Sequence, residues 1–289
     1  MDRGFLSNIE LRTWRGATYY GLAVLLLLIV SLVALFPFFF AFTSGLKGST
    51  ELFSSGLNLL PQNPQWGNYV EAWQRFNLPR LLGNSFLIVG GGIVFQLFVS
   101  TTAAYSLSRL NPWGGRYLMM GFLITLMVPV LAYFVPLFLT IKNVPILNIS
   151  LIDSYWGLWL PYSVSAFAIF ILKTFFDRIP VDIIDSARVD GASSLQIFFS
   201  IILPLSRSIL IVICVLAFVN IWRDYLLPLL VITNPESQPI TVRLAEVTTN
   251  YGVNLQMASS FIALLPPLLV AIVMQRYMAV GVTGGAIKG

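Results

Sequence analysis

Asp177, Arg178, Asp182, Asp185, Arg188 and Asp190 put six charges into one short stretch of a chain in which only 10% of residues are charged. Gly191 follows at once. Ionic groups gathered beside a turn-forming glycine have the chemistry of a docking surface, where charge pairs with a partner and the turn holds the register. A second pair, Arg223 and Asp224, sits near the end of a long apolar run, with Asn220 and Trp222 just before it and Tyr133 in another run. Aromatic faces and hydrogen-bonding side chains of this kind bind polyhydroxylated solutes, and they also serve as ordinary glue between helices. Groups for other chemistry are missing. Histidine is absent, and the one cysteine, Cys214, lies inside an apolar run. No disulfide framework or cysteine-based metal site follows, and the commonest general base is gone. Neither a catalytic residue nor a metal centre is expected, so the chain is not read as an enzyme.

The elements that carry these residues are built for lipid. Of 289 residues 57% are hydrophobic, whereas soluble domains carry about 25% charged residues. The expectation is an all-α polytopic membrane protein with six spans of roughly 20 apolar residues each. They fall at about Tyr19–Phe42, Gly83–Leu107, between Arg116 and Lys142, Tyr155–Phe176, from near Pro204 to near Ile232, and Gln256–Val280. The first run, Gly16–Leu46, is too long for a signal-peptide core, and no small-residue cleavage site follows it. The reading divides the chain into an N-terminal segment 1–18, a membrane domain 19–280 with a loop at 177–204, and a tail 281–289. With both termini in the cytoplasm, eleven Lys and Arg face inward and six outward, in keeping with the positive-inside bias. The net charge of +5 comes from scattered basic residues, which is no nucleic-acid signature. Pro129, Pro136, Pro161, Pro228, Pro266 and Pro267 fall inside spans, as does the triplet Gly90–Gly92. One by one they read as kinks and close packing, and as a set as helices bent around a path.

Within 177–204, Pro180 suits the first turn of a helix. Ile183, Ile184 and Ala187 recur at helical spacing, then Leu195, Phe198, Phe199 and Ile202. Gly191 divides the two halves. Two short amphipathic helices joined by a tight turn result, ending where the fifth span begins at Pro204. A helix lying on lipid favours basic residues on its polar face, whereas this one carries four aspartates, so a protein partner fits better.

Asp185, Ser186, Ala187 and Gly191, followed by Ile201, Leu203 and Pro204, resemble the E-A-A-x-x-x-G, nine residues, I-x-L-P pattern of the permease subunits of binding-protein-dependent ABC importers. Asp stands for Glu and Ser for Ala. "NSF" at Asn84–Phe86, "AAYSLSRL" at Ala103–Leu110 and the tail "RYMAVGVTGGAIKG" from Arg276 are similar to the carbohydrate, maltose-type branch, although Trp222–Tyr225 replaces that branch's Trp-Asn-x-Phe. The resemblance implies a type I permease fold in a bacterial inner membrane and import of a mono-, di- or oligosaccharide or related polyol. The implied partners are a second permease subunit, two ATP-binding subunits and an extracytoplasmic solute-binding protein. ATP and Mg²⁺ would belong to the ATPase, with no cofactor in this chain. Asp185, Ser186, Ala187, Arg188, Gly191, Ala192, Leu203 and Pro204 would then couple to the ATPase, and Gly284, Gly285 and Lys288 in the tail would touch it. Asn220, Trp222, Arg223, Asp224 and Tyr133 are candidates for the solute path. Fifteen uncharged residues separate Arg207 from Arg223, about 22 Å of helix and short of the roughly 30 Å core. Either the span starts at Pro204 and the Arg223–Asp224 pair lies near the outer rim, or the pair enters the membrane; the rim is the cheaper reading. Two rivals remain at this level: a stand-alone ion-coupled transporter, and an importer of a non-sugar solute such as a glycerol phosphate.

Overall fold

The computed structural model describes residues 14–53, 58–247 and 251–283. Among these the chain is nearly all helical, with one isolated bridge between Val144 and Ile149. Gly16–Gly45, Leu78–Leu110 and Val253–Gln275 are long and apolar enough to cross a bilayer. Three further crossings are each a pair of helices with a sharp bend, which brings the number to as many as six. Two compact units are present, residues 1–74 with 248–261 and residues 75–247 with 262–289.

In the first unit α1 (Trp14–Gly45) is followed by α2 (Gly67–Arg75). Asn68 explains how they lock. Its buried amide donates to the carbonyls of Gly45 (3.0 Å) and Lys47 (2.9 Å), so the open end of α1 is satisfied without water. Tyr69 donates to Phe42 O at 2.9 Å, and both rings pack on Phe261. Gly45 allows a close approach, since a Cβ there would come 2.9 Å from Ala258 Cα.

The second unit is organised around α3 (Leu78–Tyr105), which runs on through a π turn at Ser106–Leu110. Pro79 sits in its first turn, where no N–H is missed. Close packing follows from two glycines of the triplet. A Cβ on Gly91 would lie 2.2 Å from the Trp159 ring, and one on Gly92 would lie 2.7 Å from Ile221. The next crossing is broken into α4 (Gly115–Thr125) and α5 (Val130–Lys142), bent by 106° with Pro129 capping the second half. The fourth is broken into α6 (Trp156–Ser163) and α7 (Ala166–Asp177), bent by 44°. Val164 and Ser165 are extended there, and the Ser165 hydroxyl accepts from Ala168 N (3.2 Å) to restart the helix.

The loop 177–204 carries α8 (Val181–Val189) and α9 (Ser194–Ile197), and α9 continues through a π turn at Phe198–Ile202. The segment Ser194–Leu205 then meets α10 (Arg207–Arg223) at 77°. α11 (Leu226–Val231) and α12 (Ile240–Val247) follow, and α13 (Val253–Thr283) is last. One boundary departs from the sequence reading. The sequence places the fifth span from near Pro204 to near Ile232, with Pro228 inside it. Instead the helix stops at Asp224, whose ψ is 128°. The Asp224 carboxylate faces the backbone N–H of Leu227 at 3.5 Å, the usual way a short acidic side chain competes with a helix, and its backbone carbonyl accepts from the Thr241 hydroxyl at 3.2 Å.

Both ends of this unit are tied down. At one, Arg80 pairs with Glu236 (2.8 Å), and Asn84 donates to the carbonyls of Glu236 and Gln238. Nearby, Asp153 receives the Thr233 N–H and hydroxyl (both 2.6 Å) and the Asn234 N–H (2.8 Å). The Thr233 hydroxyl, then the Asn234 N–H, hold the Asp153 carboxyl below the usual carboxylate range. The other end is the 177–204 loop.

Candidate functional site

α8 forms where it does for local reasons. Pro180 precedes it, Asp182 lies in its first turn and Arg188 in its last, so both charges oppose the helix dipole. Arg188 also pairs with Asp185 at 3.3 Å, an exposed bond worth only about 0.3–0.5 kcal/mol. The helix ends in a Schellman turn. Ala192 N donates to Ala187 O (2.9 Å), and Gly191 N donates to Arg188 O (3.0 Å). Gly191 has φ +82°, a value glycine adopts freely. Apart from its two chain neighbours, no described residue comes within 4 Å of where its Cβ would be, so backbone conformation rather than crowding requires glycine. Ser193 then caps α9 in a full capping box with Gln196. Two caps back to back make the turn compact and rigid.

Part of the expected apolar face is exposed. Ile184, Ile197, Phe198 and Ile202 are buried, whereas Ile183, Val189, Leu195 and Phe199 are not. The buried set joins Tyr105, Leu172, Phe176 and Ile213 in one core, so the loop packs on α3, α7 and α10. Each fully buried side chain of this size contributes about 1.5–3 kcal/mol against exposure to water. Polar bonds fix the direction. Tyr105 donates to Ser194 O at 3.0 Å, and its ring lies 5.0 Å from Phe198. Arg109 donates to the carbonyls of Phe176 and Ile179, placing a cation at the end of α7. Ser108 donates to Asp177 (2.6 Å), which also pairs with Lys173 (2.7 Å). The sequence shows Arg109 as an inward charge and as part of "AAYSLSRL", without naming what it binds. The signal that it caps another helix was its place at the end of an apolar run, and that signal does not name the partner.

The coupling candidates thus share one element. Asp185, Ser186, Arg188 and Gly191 are exposed on it, and Ala187 and Ala192 are half-buried in the turn. Leu203 and Pro204 lie at its far end, beside the 77° bend. The tail residues Gly284, Gly285 and Lys288 fall outside the described residues.

A cavity of about 730 Å³ lies among the broken helices. It is lined by Tyr133 and other apolar side chains of α4 and α5, by Tyr162, Val164 and Ser165 at the break between α6 and α7, and by Asp224 at the end of α10. The Tyr162 hydroxyl donates to Asp224 Oδ2 at 2.7 Å. Two helix breaks therefore meet in a single hydrogen bond. Of the five path candidates, Tyr133 and Asp224 line this cavity. Trp222 is buried between Phe86 (5.2 Å) and Phe218 (5.4 Å). Asn220 and Arg223 are exposed and are not among the lining residues, and Arg223 makes no ion pair with Asp224. The pair does not close the apolar stretch either, because α11 continues beyond it. Among the described residues no group of three His, Cys, Asp or Glu could hold a metal ion.

The model of the "Binding-protein-dependent transport system inner membrane component" family matches residues 96–281. The arabinooligosaccharides transport system permease protein AraQ of Bacillus subtilis (strain 168) is 32% identical over 271 residues, 92% of this chain and 94% of that protein. The sn-glycerol-3-phosphate transport system permease protein UgpE of Pectobacterium atrosepticum is 33% identical over 269 residues, 88% and 93% of the two. The fold is similar to a chain of a bacterial ABC transporter involved in the import of the acidic polysaccharide alginate, with TM-score 0.79, 22% identity and coverage of 95% and 99%. A match from the last third of α3 into α13, together with relatives aligned almost end to end, makes this chain a member of the binding-protein-dependent inner-membrane transport family, a permease subunit of an ABC importer.

Proposed function

We propose that the chain forms half of the translocation path of an importer for a saccharide or related polyol. A second permease subunit supplies the other half. Two cytoplasmic ATP-binding subunits, which hold ATP and Mg²⁺, drive it, and an extracytoplasmic binding protein feeds it. The observation that carries the coupling role is the α8–Gly191–α9 elbow, rigid in itself, anchored on the spans through Tyr105 and Arg109, and exposing Val189 and Leu195. Such an elbow passes a push from a docked ATPase to α3, α7 and α10 together, where a loose loop would absorb it. The positive-inside bias puts it in the cytoplasm with both termini, and the tail 281–289 reaches the same ATPase.

Relatives named for oligosaccharides and for sn-glycerol-3-phosphate both align along this chain, so a phosphorylated polyol is the second reading of the cargo. The experiment is uptake of labelled solutes by cells with and without this subunit, under ATP depletion and under collapse of the ion gradient. Uptake should stop with ATP depletion. Uptake that survives it and dies with the gradient would sink the reading. Single cysteines at Ser194 and Pro235 should label from opposite faces of the membrane, and labelling of both from outside would reverse the assigned orientation.

A further inference from the structure

The Tyr162–Asp224 cavity carries a charge that the importer reading does not use. Among the described residues that line it, Asp224 is the one carboxylate, and there is no Lys or Arg. Arg223, next in sequence, is exposed and lies off the lining. Around the carboxylate the wall is apolar and aromatic, with Tyr133, Phe122 and Phe134, and its hydroxyls come from Thr125, Tyr133, Tyr162 and Ser165. Asp224 is held by the Tyr162 hydroxyl, and its Oδ1 lies 3.5 Å from Leu227 N. A single negative group between low-dielectric walls repels anions and draws hydroxyl donors and cations. Sugar hydroxyls can donate to a carboxylate and lay their C–H faces on aromatic rings, whereas a phosphate or a uronate finds no countercharge here.

We infer that this cavity admits uncharged, hydroxyl-bearing cargo and excludes anionic cargo, and that Asp224 is the residue that sets the difference. The inference rests on the importer reading, because it takes the cavity as part of the path. It also chooses between the two cargoes that the relatives' names leave open: a neutral saccharide passes, and a phosphorylated polyol does not. Tyr162 acts through Asp224, fixing where the carboxylate points, and is a positioning residue.

The cavity's charge can be read without knowing the cargo. In a Cys214→Ser background, Val164→Cys places one thiol on the lining, at an exposed position beside the helix break. The assembled complex in membrane vesicles is treated with a cationic methanethiosulfonate (the trimethylammonium-ethyl reagent) or an anionic one (the sulfonatoethyl reagent). Corrected for their rates with a free thiol, the cationic reagent should react about tenfold faster or more. Asp224→Asn keeps the shape and should bring the ratio most of the way to one. Tyr162→Phe removes the hydrogen bond but keeps the charge, and should leave a ratio well above one. A corrected ratio near one in the parent, or a high ratio unchanged by Asp224→Asn, would overturn the inference. If Asp224→Asn fails to reach the membrane, the parent ratio decides alone. Failure of the importer reading shows separately, as uptake that outlasts ATP depletion. A ratio near one with ATP-dependent uptake intact removes only the selectivity.

Discussion

Tyr105 donates its hydroxyl to the backbone carbonyl of Ser194 at 3.0 Å, joining the last residue of α3 to the first of α9. Its ring also packs on Phe198, so the hydroxyl can be removed without opening the core. Tyr105→Phe should cost about 0.5–1.5 kcal/mol, the usual net value of one hydrogen bond. That is small beside the core around it and comparable with coupling free energies of about 1–3 kcal/mol. The expected outcome is a normal amount of protein in the membrane and more ATP hydrolysed per solute imported. An unchanged ratio would remove this bond from the coupling route.

Gly191 tests conformation apart from bulk. At φ +82° a side chain costs about 1–2 kcal/mol, and asparagine tolerates such angles best. Apart from its chain neighbours, no described residue crowds the position. Gly191→Asn should therefore keep most transport, and Gly191→Leu should lose most of it while inserting normally. Equal loss in both would mean that a partner packs directly on the glycine. Ser193 makes a poor control, since it caps α9 and its loss costs about 1 kcal/mol by itself.

Gly91 and Gly90 are neighbours in sequence with opposite surroundings. A Cβ at Gly91 would meet Trp159 at 2.2 Å, and one at Gly90 meets nothing within 4 Å. Trp159 cannot simply swing away, because its indole N–H donates to Ile88 O at 3.1 Å. Gly91→Ala should destabilise by about 1–3 kcal/mol as overpacking, and Gly90→Ala should be close to neutral. Thermal inactivation of the purified complex in detergent measures the gap, and a reversed order would contradict the packing of α3 on α6.

How legible was this in the amino-acid order? The elbow was legible almost in full, because glycine, proline and capping residues act locally and their spacing is the structure. The bends were legible only as a set. Pro129 marks its break, but the break after Pro161 falls at Val164 and Ser165, and α13 carries Pro266 and Pro267 with no bend that divides it. The cavity was not legible. Arg223 and Asp224 are neighbours on a helix and so need separate partners, but the sequence does not name them: Asp224's is Tyr162, 62 residues earlier, and Trp222 turns to Phe86 and Phe218. Contacts across helices depend on rotation about each axis, and an apolar run leaves that rotation open. Arg109 is the same case: its charge was visible, and the carbonyls it serves were not.

Asp153 gives a pH signature. Its carboxyl lies below the usual range, chiefly through the Thr233 hydroxyl and then the Asn234 N–H. The folded state therefore resists protonation more than the unfolded chain, whose aspartate titrates near 3.9. The sign follows: the stabilisation is fully present above about pH 4 and fades as pH falls through the folded value. Asp153→Asn isolates this effect. Asparagine tolerates the backbone at φ +58°, but its amide cannot accept all three bonds. Its melting temperature should fall short of the parent's at neutral pH, and the gap should narrow on acidification below about pH 4. Thr233→Val removes the largest cause of the lowered value, so the fading of its own Asp153 stabilisation should begin at a higher pH than in the parent. A gap that stays constant or widens in acid would show that the Asp153 clasp holds these two loops by shape and not by charge.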